Sequence, residues 1–205
     1  MAALAVAAAR LPAQGAPAAA HDYGQADVAF VQGMIVHHAQ AVVMSDWAAT
    51  HDARPDLLIL CKRIALSQRD EITMMQQWLR DRHLAVPDPL HSLQGDPGPA
   101  HEMAGMDMPG MDGHDHPMPM TGMLTPAEMR QLDAARGAAF DRLYLTGMIR
   151  HHQGALDMVA KLFATPGAGQ QSELSAFATD VDAGQRAEMA RMQAMLNTLT
   201  ANQTR

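Results

Sequence analysis

Cysteine is almost missing from this chain. One residue in 205, Cys61, excludes an internal disulfide framework and any Cys-based zinc finger. Aromatic residues are scarce at 4%, and the apolar positions are dominated by Ala, Met and Leu, which argues against a β-sandwich or barrel. Positive charge is also in short supply. Lys and Arg number 15 against 22 Asp and Glu, a net charge of −7, so there is no basic face with which to neutralise a nucleic acid. Beyond the N-terminus no apolar run of about 18 residues occurs, and no membrane span is read. Glu-x-x-His is absent, and with it the ligand pattern of di-iron carboxylate bundles. No Ser/His/Asp or Cys/His arrangement and no phosphate-cradling Gly loop stands out, so the chain reads as a binding protein and not as an enzyme. Its length suits one domain with one core.

What the chain has in excess is methionine, 18 residues, together with 11 histidines. The usual Met share is roughly 2%. Residues 1–20 form an apolar Ala-rich segment ending in Ala18-Ala19-Ala20, small residues that suit cleavage before His21. We read this segment as a signal peptide, which places the mature protein in a bacterial periplasm or outside the cell.

The remainder is a duplication. Asp27, Phe30, Met34, Ile35, His37, His38, Ala41 and Met44 return as Asp141, Tyr144, Met148, Ile149, His151, His152, Ala155 and Met158, always 114 residues later. A second block returns 117 residues later, with Gln68, Glu71 and Met75 matched by Gln185, Glu188 and Met192. Each block has helical spacing. Leu57, Cys61, Ile64, Gln68, Glu71, Met75 and Trp78 step by four and three, the seam of helices packed side by side. Pro55 suits a first turn. Thr125-Pro126-Ala127-Glu128 is a capping box that starts a third helix, Gly137 marks a kink in it, and a fourth helix is expected from about Gln170. The expected fold is all-α: a four-helix bundle of two hairpins (21–82 and 125–205) around an insert at 83–124. Cys61 matches Ala178 in the repeat and is expected to be a buried core residue.

Antiparallel pairing about the two turns sets the His-His pairs level with Gln-x-x-Glu on the partner helix. Polar groups in mid-seam cost several kcal/mol unless paired. A structural reading has the carboxylate accept from a His, with Gln completing the network. A functional reading makes Met34, His37, His38 and Met44, and Met148, His151, His152 and Met158, metal ligands. Gln68, Glu71, Gln185 and Glu188 would then orient them from behind. Neighbouring residues diverge by about 100° on a helix, so at most one His per pair points at the bundle axis.

The insert supplies a second candidate region. Residues 101–123 hold seven Met, three His, four acidic residues and no Lys or Arg; Leu, Ile, Val, Phe and Trp are absent. Burial does not explain that choice. Thioethers favour Cu(I) and Ag(I), keep binding at low pH and escape disulfide chemistry. The candidate ligands are Met103, Met106, Met108, Met111, Met118, Met120 and Met123, with His101, His114 and His116 adding nitrogens that also suit Cu(II).

The paired Phe30-x-x-x-Met34-Ile35-x-His37-His38 and Tyr144-x-x-x-Met148-Ile149-x-His151-His152, each followed by Gln-x-x-Glu, resemble the bacterial domain-of-unknown-function family numbered 305. The resemblance covers roughly 24–82 and 125–199. It implies a ferritin-like four-helix fold and copper handling through the Met and His residues of the two repeats. Copper is therefore the expected cargo, with another copper-handling protein as exchange partner. Two other readings stay open: a ferritin-like metal-dependent oxidase, and a metal-free structural bundle.

Overall fold

The computed structural model describes residues 22–88 and 120–203. The expected signal peptide, His21, and the insert ligands His101, Met103, Met106, Met108, Met111, His114, His116 and Met118 lie outside these residues. The described chain contains five α-helices and no strand: α1 (Gln25–Trp47), α2 (Pro55–Asp81), α3 (Pro126–Ala134), α4 (Gly137–Ala164) and α5 (Ser172–Gln203). Four long helices form the bundle, as the repeat implies. Gly137 does more than kink a helix. Its φ of +54° ends helical continuity, and its N–H donates to the His51 carbonyl in the α1–α2 turn. The capping box is present, with Thr125 accepting from the Glu128 N–H and Glu128 accepting from the Thr125 N–H. α5 begins at Ser172, two residues beyond the expected start, within the usual uncertainty of a helix end.

α1 packs on α2, α4 on α5, and α1 crosses α4, whereas α2 and α5 scarcely touch. α1 and α4 therefore form the centre. α1 is long and apolar enough to cross a membrane on its own, but 61% of its apolar window is buried here in the bundle. Its apolar and polar residues are not segregated to opposite faces, because it is covered on several sides.

The core is two apolar clusters. One holds Phe30, Met34, Trp78 and Val159, the other Met44, Cys61, Phe140, Tyr144 and Met148. Between them lies a buried polar layer. Cys61 is fully buried as expected, and burial pushes its thiol up to about 12, only partly opposed by its contact with Tyr144.

Two aspartates lock the hairpins together. Asp27 is buried and accepts from the Gly24 N–H (2.7 Å) and from the Gly169 N–H (2.7 Å) in the opposite hairpin's turn. Its repeat partner Asp141 accepts from the Arg54 N–H (3.2 Å) in the α1–α2 turn. Asp27→Ala would leave the buried Gly169 N–H unpaired and is expected to cost about 2–3 kcal/mol. Thermal denaturation should show Tm falling by roughly 5–10 °C, while exposed Asp157→Ala should leave it unchanged.

Candidate metal centre

The expected register is observed. His38 Nε2 lies 2.6 Å from Glu71 Oε2, and His152 Nε2 lies 2.8 Å from Glu188 Oε2. The two His of each pair part company as helical geometry requires. His38 and His152 turn to the partner helix, while His37 and His151 meet at the α1–α4 crossing with ring centroids 3.7 Å apart. All four imidazoles are fully buried.

Burial, and next the neighbouring His38, pull the His37 imidazole down to about 3; its bond to the Thr121 carbonyl opposes the shift only in part. Burial and then His37 hold His151 well below its ordinary value. Both rings are therefore neutral at pH 7. Burial alone would raise the Glu71 carboxyl, but the hydrogen bond and charge of His38 more than offset this, and it lies below the usual carboxylate range.

The amides Gln68 and Gln185 depart from the structural reading. They sit in the layer, yet neither amide atom of either residue makes a hydrogen bond. They do not complete a His–Glu network, because each carboxylate already reaches its histidine directly from one turn further along the helix. Among the described residues nine buried side-chain nitrogen or oxygen atoms lack a partner, and all nine belong to His37, His38, His151, His152, Gln68 and Gln185. Every one of the four Nδ1 atoms is in this set. Three of the rings anchor Nε2 on an oxygen: His37 on the Thr121 carbonyl, His38 on Glu71 and His152 on Glu188. That arrangement fixes the tautomer and leaves Nδ1 bare, as in metal-ligating histidines held by an oxygen acceptor. No three His, Cys, Asp or Glu side chains among the described residues converge on a common point.

The methionines divide. Met34 and Met148 are fully buried and stand three residues before His37 and His151, about 4.5 Å along the axis, one on either side of the layer. Met44 and Met158 stand six residues beyond His38 and His152, about 9 Å along the axis, and they pack in the apolar clusters. All four methionines pack in the apolar clusters on either side of the layer, Met34 and Met148 about one turn from the histidines along their helices and Met44 and Met158 further away.

The end of the insert is part of this site, which sequence reasoning missed. Gln40 grips the Leu124 backbone twice, accepting from its N–H (2.7 Å) and donating to its carbonyl (3.0 Å). At the repeat-equivalent position Gly154 leaves a notch, where a Cβ would overlap the Thr121 carbonyl oxygen. Thr121 and Gly122 run through that notch, and Gly122 has φ +81°. Met120 sulfur and the Met158 methyl both face Gly33 on α1. The signal was present in the sequence: Gln40 against Gly154 breaks the repeat two residues after each His pair.

Residues 27–196 match the family described as Domain of unknown function (DUF305). The chain belongs to the DUF305 family. A DUF305 protein from Streptomyces coelicolor, named as a candidate secreted protein, superposes with a TM-score of 0.67 at 25% identity, covering 88% of this chain and 96% of that one. A DUF305 fragment from Deinococcus radiodurans gives 0.63 at 26% identity, covering 86% and 98%. CopM in its Cu(I)-bound form shares the fold with a TM-score of 0.58 at 23% identity, covering 84% and 96%. An uncharacterised protein of Acanthamoeba polyphaga mimivirus is 36% identical over 58 residues, a match that spans 28% of this chain and 38% of that relative.

Proposed function

We propose that this DUF305 protein is an exported copper-binding protein that sequesters, buffers or carries Cu(I), and that it acts by binding and not by catalysis. The observation that carries the reading is that the nine unpaired buried side-chain nitrogen and oxygen atoms among the described residues all fall in one layer of four histidines and two glutamines, between the apolar clusters that hold Met34 and Met148. Buried polar groups are paired in nearly all folded proteins, and each unpaired one costs about 1–3 kcal/mol. The imidazole lone pairs left bare at that cost between two apolar clusters are accounted for by a cationic guest that they coordinate. Neutral imidazoles and thioethers are the donors that Cu(I) prefers, and Ag(I) by the same softness; imidazole nitrogen also accepts Cu(II). CopM, of the same fold, was crystallised with Cu(I), with Cu(II) and with Ag. The Met-rich sequence of 101–123 supports the same cargo by its composition, and a periplasmic location suits a ligand set that does not rely on thiols.

An anaerobic competition titration against a coloured Cu(I) chelator tests this. One equivalent of the mature chain is expected to bleach the probe. The His37/His38/His151/His152→Ala variant, shown folded by circular dichroism, is expected to bind at least tenfold more weakly. Deleting 101–118, which keeps the Thr121 carbonyl on His37 and Leu124 on Gln40, is expected to lower capacity while sparing the tight site. A probe left fully coloured by folded, reduced protein refutes the assignment.

A further inference from the structure

The open edge of the bundle is a second candidate surface. Where α2 and α5 would close the bundle, a cleft of about 550 Å³ runs between them down to Val31 of α1. Its lining follows one stripe of α2, from Ser67 to Asp81, and one of α5, from Glu173 to Val181. A second hollow continues it, lined by Arg63 and Leu66 of α2 and by Gly184 and Arg191 of α5. The two share Ser67 and Asp70. Together they cover 63–81 against 173–191, antiparallel and about 27 Å long, which is the length of an 18-residue helix at ~1.5 Å per residue.

The chemistry of this groove is directional. Its floor is apolar, with Trp78, Leu174, Phe177 and Val181. Leu66 and Met74, two of the four large apolar side chains most exposed among the described residues, lie along it at 63% and 54% exposure. Asp81, Glu173 and Asp180 line one end, Asp70 stands at the junction of the two hollows, and Arg63 and Arg191 flank the other end beside Glu188. The acidic end already holds a cation. The Arg82 guanidinium lies 4.1 Å over the Trp78 ring, with its Nη2 3.5 Å from Glu173.

We infer that this groove docks a basic amphipathic helix of a partner protein, apolar face down on Trp78 and Phe177, its Lys or Arg residues against the four carboxylates. Helix-in-groove recognition uses such a floor and such a rim. The chain's own remaining segments do not suit it. Residues 89–119 contain no Lys or Arg and five acidic residues, and residues 1–21 contain one Arg. A second copy would bring its own net charge of −7 against the same acidic end. The groove does not open on the imidazoles, but Glu71 lines it while holding His38. A docked helix would lie directly beside the metal layer.

The test uses the mature chain carrying Trp47→Phe, which leaves Trp78 as the only tryptophan. The probes are an 18-residue Leu/Lys amphipathic peptide and a Leu/Glu peptide of the same pattern. The Leu/Lys peptide is expected to change Trp78 emission saturably at one peptide per chain, and the Leu/Glu peptide not to. Asp70→Asn/Asp81→Asn/Glu173→Gln/Asp180→Asn is expected to weaken binding at least tenfold. Asp46→Asn/Asp52→Asn/Asp56→Asn/Asp157→Asn, with the same change in net charge elsewhere, is expected to change it less than twofold. Equal weakening by both sets, equal binding of both peptides, an unaltered Trp78 signal, or self-association that covers Trp78 overturns the inference. Each of those outcomes leaves the copper titration, and the reading it tests, untouched.

Discussion

Replacing His37 and His151 together by leucine is expected to raise the thermal stability of the metal-free protein and to abolish its stabilisation by Ag(I). The two rings meet at the α1–α4 crossing and carry three of the nine unpaired buried atoms. Swapping them for leucine removes those penalties, and the one bond sacrificed is His37 to the Thr121 carbonyl at 3.3 Å. At the low end of about 1 kcal/mol for each of the three orphaned atoms, less ~1 kcal/mol for the lost bond, the net gain is about 2 kcal/mol. For a domain of this size that is roughly 4–8 °C in Tm. The unsubstituted protein at a free Ag(I) concentration about a hundredfold above Kd should gain about 2.7 kcal/mol; the double variant should gain none from the layer. The bundle role predicts the reverse. If the imidazoles were there to fix register, leucine would lower Tm and broaden the transition. Scanning calorimetry of both proteins, each with and without Ag(I), separates the two. Residues 101–118 are deleted in both, which removes most of the insert's own donors and keeps the Thr121 carbonyl on His37.

Acid should unfold this protein early. An unfolded imidazole titrates near 6.5, whereas folded His37 does so at about 3 and folded His151 well below its ordinary value. Between pH 6.5 and about 3 the unfolded chain therefore binds protons that the folded chain refuses, and stability falls as pH is lowered. Each such histidine contributes a slope of about 1.4 kcal/mol per pH unit. His37 alone removes about 2–3 kcal/mol between pH 6.5 and 4.5, and His151 adds to the loss in the same direction. Glu71 acts in the same direction at lower pH. Its depressed carboxyl contributes stability above the ordinary carboxylate pKa that is lost as pH falls through the folded value. Urea unfolding at pH 7, 5.5 and 4.5 should show the midpoint dropping steeply. The His37→Leu/His151→Leu variant should show a much flatter dependence, and Ag(I) should hold the midpoint up by engaging the neutral rings. Parallel slopes in the two proteins would contradict the assigned protonation of the layer.

Repeat offsets and heptad steps are one-dimensional facts about helices, and helices translate them into faces and heights with little freedom. That is why the pairing of His38 with Glu71 and of His152 with Glu188 was legible, as was the divergence within each His pair. The silent amides of Gln68 and Gln185 were not legible, because hydrogen bonding depends on side-chain placement to within tenths of an ångström.

The sequence by itself determined the all-α duplicated bundle, the level of the histidines and the soft-donor character of the chain. Periodicity and donor chemistry are local properties and survive without coordinates. The tertiary structure alone decided that His37 and His151 meet across the two repeats and that Asp27 and Asp141 clamp opposite hairpins. It also decided that the insert's last residues thread the Gly154 notch and that α2 and α5 leave an open edge. Each of these joins residues far apart in the chain, and such contacts are set by how helices cross and pack, which no local pattern specifies.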